Sequence, residues 1–233
     1  MKLIRRLLWR GLSKQQKNYL LNNLPVVEQR ATKKALFDKN QTLPEAFIEK
    51  NCIFIHIPKC AGKSLSLSLF NDTEMGQGHL PLNWYLQLFP EFSESAFKFS
   101  IVRDPLDRAY SAYCYLLKST IPLDQPMKKM LEGFRSFDHF IDYWLYPDNI
   151  VRQIHFTPQY QFLTNTLGKI NIDFIGRYET LDQDFKKICK TLNICVPLKY
   201  VNKSVKTGIY PISNSTREKI RTVYQRDYEL FSY

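Results

Sequence analysis

Two lysines, a hydroxyl and a pair of small residues follow an apolar run between residues 52 and 64. The run Cys52-Ile53-Phe54-Ile55-His56-Ile57 has the composition of a buried strand, and Pro58 bounds it. Lys59, Cys60, Ala61, Gly62, Lys63 and Ser64 then read as a tight turn entering a helix that runs to about Phe70. A helix N-terminus has unpaired N–H groups and the positive end of the macrodipole, so it attracts anions. Backbone donors and lysines brought to one point in this way would grip a phosphate.

Gly62-Lys63-Ser64 fits the end of the nucleotide-binding loop G-x-x-x-x-G-K-[ST]. The opening glycine of that loop would fall at position 57, which is Ile57, with Pro58 and Lys59 behind it. No apolar strand ending in a magnesium-poised Asp accompanies it, so an NTP-dependent kinase is the disfavoured alternative. A second strand runs from Phe97 to Val102 into Arg103-Asp104-Pro105 and a helix to about Lys118. Arg offers phosphate oxygens a planar fork of donors. Ser111, one to two turns into that helix, is placed to point its hydroxyl back toward the strand end.

The two segments, in this order, resemble the 5′-phosphosulfate loop and the 3′-phosphate motif of sulfotransferases that use PAPS (3′-phosphoadenosine 5′-phosphosulfate). The segments 155–163, 174–179 and 224–231 resemble the carbohydrate branch of that family, bacterial-type, so the resemblance covers roughly residues 50 to 233. It implies an α/β, P-loop-like three-layer fold with a central parallel sheet flanked by helices. It implies transfer of a sulfuryl group from PAPS to a hydroxyl of a carbohydrate or glycolipid, with PAP released and no metal. Lys59 would meet the bridging oxygen. Backbone groups from Cys60 and Ala61 through Gly62, Lys63 and Ser64, with the Ser64 hydroxyl and Lys63 as a second cation, would hold the 5′-phosphate, and Arg103 and Ser111 the 3′-phosphate. Lys63 is a departure, standing where many relatives carry Thr. Arg177, Lys203 and Ser204 would approach the nucleotide, and His155 and Gln159 the acceptor. His79, after Gly76 and Gly78, matches the base of glycan O-sulfotransferases such as the heparan and chondroitin uronyl enzymes. A base works best with a pKa near the working pH, which suits His; His155 and then Glu179 stand behind His79. His56 and His139 read as structural, and Cys60 as a small turn residue rather than a nucleophile.

The chain has 233 residues, 44% of them hydrophobic, enough for one sizeable domain. Residues 1–48 read as an N-terminal helical extension and 49–233 as the sulfotransferase domain. A formal charge of +11 favours anionic ligands, and PAPS, glycans, nucleic acid and anionic membranes all fit it; charge alone keeps a non-enzymatic polyanion-binding protein in play. The resemblance selects a glycan or glycolipid over nucleic acid. Five cysteines, an odd number without metal-ligand spacing, are expected as free thiols in a reducing compartment. No apolar run is long enough to span a membrane, and the expected location is cytoplasmic. Leu3, Ile4, Leu7, Leu8 and Leu12, with Arg5, Arg6, Arg10 and Lys14 between them, also suit a basic helix lying peripherally on an anionic membrane. Further along, a third strand is expected at Ile172–Gly176 and a helix at Leu181–Leu192. A last helix is expected to start near Ser215, with Ser215 and Glu218 as a capping box.

Overall fold

The structure, a computed structural model, describes residues 9–37, 41–72, 78–201 and 212–233. Three strands, β1 (Cys52–Ile55), β2 (Phe97–Val102) and β3 (Phe174–Arg177), form a parallel sheet in the order β1-β2-β3. Cys52 to Ile55 pair with Phe97 to Ser100, and Phe99 to Val102 pair with Phe174 to Arg177. Parallel strands covered on both faces read as continuous apolar runs, and all four residues of β1 are buried.

Helices α1 (Lys14–Asn22), α2 (Val26–Phe37) and α3 (Glu45–Glu49) precede the sheet. After β1 come α4 (Gly62–Phe70), α5 (Leu82–Leu88) and α6 (Pro90–Ser95). After β2 come α7 (Pro105–Lys118), α8 (Gln125–Leu131), α9 (Phe137–Trp144), α10 (Pro147–Ile150) and α11 (Tyr160–Leu163). β3 leads to α12 (Leu181–Thr191), α13 (Asn214–Val223) and α14 (Gln225–Phe231). The architecture is α/β, a parallel sheet flanked by helices, as the resemblance implies.

The core has two parts. One surrounds the sheet and joins Phe54, Leu65, Phe99, Phe162, Phe185 and Phe231. The other lies among α7, α9 and α13, where Leu116, Phe140, Phe156, Ile220 and Tyr224 meet. The N-terminal segment belongs to the first: Val27 of α2 is 1% exposed, and the Val26 N–H donates to the Val151 carbonyl at 2.7 Å. The membrane-contact expectation rests mainly on residues 1–8, which lie outside the described residues.

Element boundaries moved in three places. β1 stops pairing at Ile55 because the chain turns away toward Pro58 and a left-handed Lys59 (φ 69°). β3 starts late because the Asp173 carboxylate takes the Lys98 N–H at 2.7 Å, where a strand carbonyl would sit. The last helix is capped by Ser213, not Ser215: Ser213 Oγ accepts the Thr216 N–H at 3.2 Å, so the third helical residue is Thr216 and no Ser215–Glu218 box forms. That helix also breaks at Tyr224 into α13 and α14.

Candidate functional site

The loop between β1 and α4 holds two non-glycine residues in the left-handed region, Lys59 (φ 69°) and Ala61 (φ 60°). Such turns curl successive N–H groups toward one side and make anion-binding concavities. α4 begins directly after Ala61, and no side chain caps it. Gly62 is required by a close approach: a Cβ there would stand 1.8 Å from the His56 ring. His56 lies stacked on Phe54 with ring centroids 5.8 Å apart, buried under the loop it supports. Burial and the Lys63 charge pull the His56 pKa down to about 4.

Lys59 Nζ sits 4.1 Å from the centre of the Tyr115 ring, a cation–π contact. Burial, and then the nearby Arg103 charge, lowers its pKa to about 8. Arg103, at the end of β2, is 2% exposed. Its guanidinium lies 4.1 Å from the Tyr178 ring centre, and Nη1 donates to the Lys59 carbonyl at 3.5 Å. α7 starts at once because Asp104 accepts the Asp107 N–H at 2.9 Å and Pro105 takes the first helical position. Ser111 is buried on the face of α7 that one turn later carries Tyr115, the residue touching Lys59. Lys63 is exposed at the first turn of α4. Ser64 turns inward, accepting the Val201 N–H at 3.0 Å, and Ser68 accepts the Lys199 N–H at 2.7 Å. The segment leading to residue 202 is thus stitched along α4. Lys203 and Ser204 themselves lie outside the described residues.

Three histidines stand beside this cradle. His79 and His56 rings are 4.6 Å apart, and His79 and His155 rings 6.4 Å apart. His79 Nδ1 lies 2.9 Å from the His56 carbonyl oxygen. A carbonyl only accepts, so Nδ1 carries the proton and Nε2 keeps its lone pair. Burial holds the His79 pKa well below the ordinary histidine value. His155 Nε2 is 3.6 Å from Asp124 Oδ1, and Asp124 Oδ2 accepts the Ser119 hydroxyl at 2.6 Å. The bond with His155 draws the Asp124 pKa down to about 2.

Four sequence expectations meet a different use of the side chain, beginning with the Ser64 hydroxyl, which is taken up by the Val201 N–H. Gln159 is fully buried: Nε2 donates to the Arg103 carbonyl at 2.8 Å, and Oε1 accepts the Arg103 N–H at 2.9 Å. It clasps Arg103 and has no face left for an acceptor. Arg177 turns to the carbonyls of Phe231 and Ser232 and lies 4.6 Å from the Tyr233 ring centre, so it closes the end of α14 rather than facing the phosphate loop. Glu179 accepts the Asp104 N–H at 2.8 Å and the Tyr233 hydroxyl at 2.9 Å, so each carboxylate oxygen is tied to the chain itself. The Cys60 thiol points inward to Gln159 Oε1 at 3.3 Å, and burial pushes its pKa up to about 12, which suits a turn residue and not a nucleophile. His139 packs between Phe134 and Tyr143, as expected.

The profile of the Sulfotransferase family matches residues 48–233. The chain belongs to the sulfotransferase family. No curated protein and no solved structure matches it.

Several residues of this candidate site carried no signal in the sequence. Tyr115 and Tyr178, which cover the two cations, are ordinary aromatics until the fold places them; only the four-residue spacing from Ser111 hinted at Tyr115. Arg108 is fully buried, donating to the His155 carbonyl at 3.2 Å and the Thr157 carbonyl at 2.7 Å. Asp227 holds the other side of that segment, accepting the N–H groups of Gln159 at 2.7 Å and Tyr160 at 2.9 Å.

Proposed function

We propose that this sulfotransferase moves a sulfuryl group from PAPS to a hydroxyl of a carbohydrate or glycolipid and releases PAP. The observation that carries the reading is the meeting of Lys59, Arg103 and the uncapped start of α4, a donor set that suits a nucleotide with phosphates at two positions. The fit has physical grounds. Two neighbouring cations and a helix N-terminus repel one another's charge until an anion joins them. PAPS, when bound, supplies the sulfuryl group and a phosphate leaving group.

The residues then divide the work. N–H groups at the start of α4 hold the 5′-phosphate, and Arg103 with Ser111 holds the 3′-phosphate, which separates PAPS from ATP. Lys59 meets the charge that grows on the bridging oxygen. His79 takes the acceptor hydroxyl proton at Nε2 as that oxygen bonds to sulfur and the bridging oxygen departs with PAP. The His79 tautomer fixed by the His56 carbonyl supports this choice. His155, held by Asp124, flanks the same space. Lys59 and Arg103 supply the positive charge in this reading, which therefore calls on no metal.

Calorimetric titration with PAP, against ADP and ATP, tests the reading. One PAP per chain, much tighter than ADP and lost in Arg103→Ala, is expected. In the same series His79→Ala keeps PAP affinity while turnover falls by about 10²-fold. Magnesium-dependent preference for ATP would instead support a kinase. Salt-sensitive binding of many polyanions without a stoichiometric PAP site would support a polyanion-binding protein.

A further inference from the structure

His155 is fixed along its backbone and on one edge of its ring. Its N–H donates to Gln153 Oε1 at 2.9 Å, and its carbonyl accepts from Arg108 Nη1 at 3.2 Å. Its ring lies 5.0 Å from the Tyr115 ring, which Lys59 Nζ meets at 4.1 Å, so a single aromatic separates His155 from the lysine of the candidate phosphate loop. Asp124 Oδ1 stands 3.6 Å from His155 Nε2, an ion-pair distance, and the Ser119 hydroxyl holds the other oxygen of Asp124 at 2.6 Å. A carboxylate only accepts, so Nε2 carries the ring proton and Nδ1 the lone pair. That Nδ1 is buried and has no hydrogen-bond partner among the described residues. Buried polar atoms are nearly always paired, so an orphaned acceptor at this place calls for a donor.

The His79 ring, 6.4 Å from His155, also keeps a lone pair, but its other nitrogen meets only the neutral His56 carbonyl. A bond to an ionised partner is roughly twice as strong as a neutral one. Around His155 the Asp124 carboxylate favours a charged ring, while Lys59 and Arg30 oppose it; Tyr115, His79 and His56 are the other titratable groups at hand. We propose that His155 is the residue on which the acceptor's proton comes to rest, and that Asp124 is the positioning residue that turns the His155 Nδ1 lone pair toward the site. The proposal deepens the sulfotransferase reading above and rests on it. His79 Nε2 takes the proton as the acceptor oxygen bonds to sulfur and the bridging oxygen leaves with its electron pair on PAP. The same proton then passes from His79 Nε2 to His155 Nδ1 across one hydroxyl or water between the rings. His79 returns to its neutral form, the His155 imidazolium pairs with Asp124, and the proton goes to solvent when the products leave.

Imidazole nitrogen NMR of the PAP-loaded enzyme tests both parts, on wild type and Asp124→Asn, with signals assigned through His155→Gln. Wild-type His155 is expected to be protonated at Nε2 and bare at Nδ1, and on acidification to take its second proton at a higher pH than His79. In Asp124→Asn the amide oxygen keeps the tautomer but the charge is gone, so the lead of His155 over His79 is lost. PAP affinity is expected to be equal in wild type and Asp124→Asn, which reports an intact fold and donor site. A wild-type His155 protonated at Nδ1, or His79 charging first, overturns the proposal without recourse to a variant. An unchanged order in Asp124→Asn overturns the role of Asp124. Failure of the wild type to bind PAP, read separately by calorimetry, overturns the donor reading and this proposal with it.

Discussion

Lys59 is where the chemistry is most exposed to pH. Its pKa is drawn down to about 8 by burial and by Arg103. A phosphate joining the two cations would favour the charged lysine and raise that pKa. Binding PAP near pH 8.5 should therefore take up a proton, and binding near pH 6.5, where Lys59 is already charged, should take up none from it. Calorimetry in two buffers of different ionisation enthalpy reads this directly. The expected uptake vanishes in Lys59→Met; a wild-type heat that is the same in both buffers at pH 8.5 sinks the account. Stability has a matching sign. Folded Lys59 releases its proton before the unfolded chain does, so its charging cost eases as pH rises from about 8 toward the ordinary lysine value. Lys59 and Arg103, which the structure brings together, could be singled out in the sequence because each follows an apolar strand at the point where the chain turns into a helix. Gln159, Arg177 and Glu179 could not be sorted, since an amide, a guanidinium or a carboxylate has the same letters whether it meets a ligand or the chain's own backbone.

At the level of elements, the strand, loop and helix around residues 52–70 form one unit whose tightest joint is Gly62 against His56. A methyl group at Gly62 would enter the imidazole, and the fixed stack of His56 on Phe54 leaves the ring little room to retreat. Gly62→Ala should lower stability by about 1–3 kcal/mol, the usual range for overpacking. Denaturant midpoints measured as a double-mutant cycle locate the clash. The loss should shrink in a His56→Ala background, where the ring is gone, whereas an undiminished loss would place the strain elsewhere. Most elements were legible from apolar runs and punctuation: β2 and α7 fall where Phe97–Val102 and Asp104-Pro105 put them. Two of the misses share a cause. Side chains replaced backbone partners at the Asp173–Lys98 contact and at the Ser213 cap, and sequence pattern does not show which of several Ser or Asp residues will do so.

Across the whole molecule, the end of the chain organises the middle and the middle holds the loop. The Tyr224 hydroxyl donates to the Phe156 carbonyl at 2.7 Å, and Asp227 holds the N–H groups of Gln159 and Tyr160. Gln159 in turn brackets the Arg103 backbone and receives the Cys60 thiol. The sequence made the segments 155–163 and 224–231 recognisable, but their partnership spans 68 residues at Gln159–Asp227 and no local pattern encodes it. Asp227→Asn tests whether this frame reaches the candidate phosphate site. The amide keeps the shape but turns an NH₂ toward one of two N–H donors, leaving a buried donor unsatisfied. The expected loss of stability is about 1–3 kcal/mol, with a weaker hold on PAP because Gln159 no longer fixes Arg103. Thermal denaturation and PAP calorimetry on the same sample separate the two effects. Reduced stability with unchanged PAP affinity would mean that Arg103 is positioned by β2 and Tyr178 alone, and that the tail supports the fold without shaping the site.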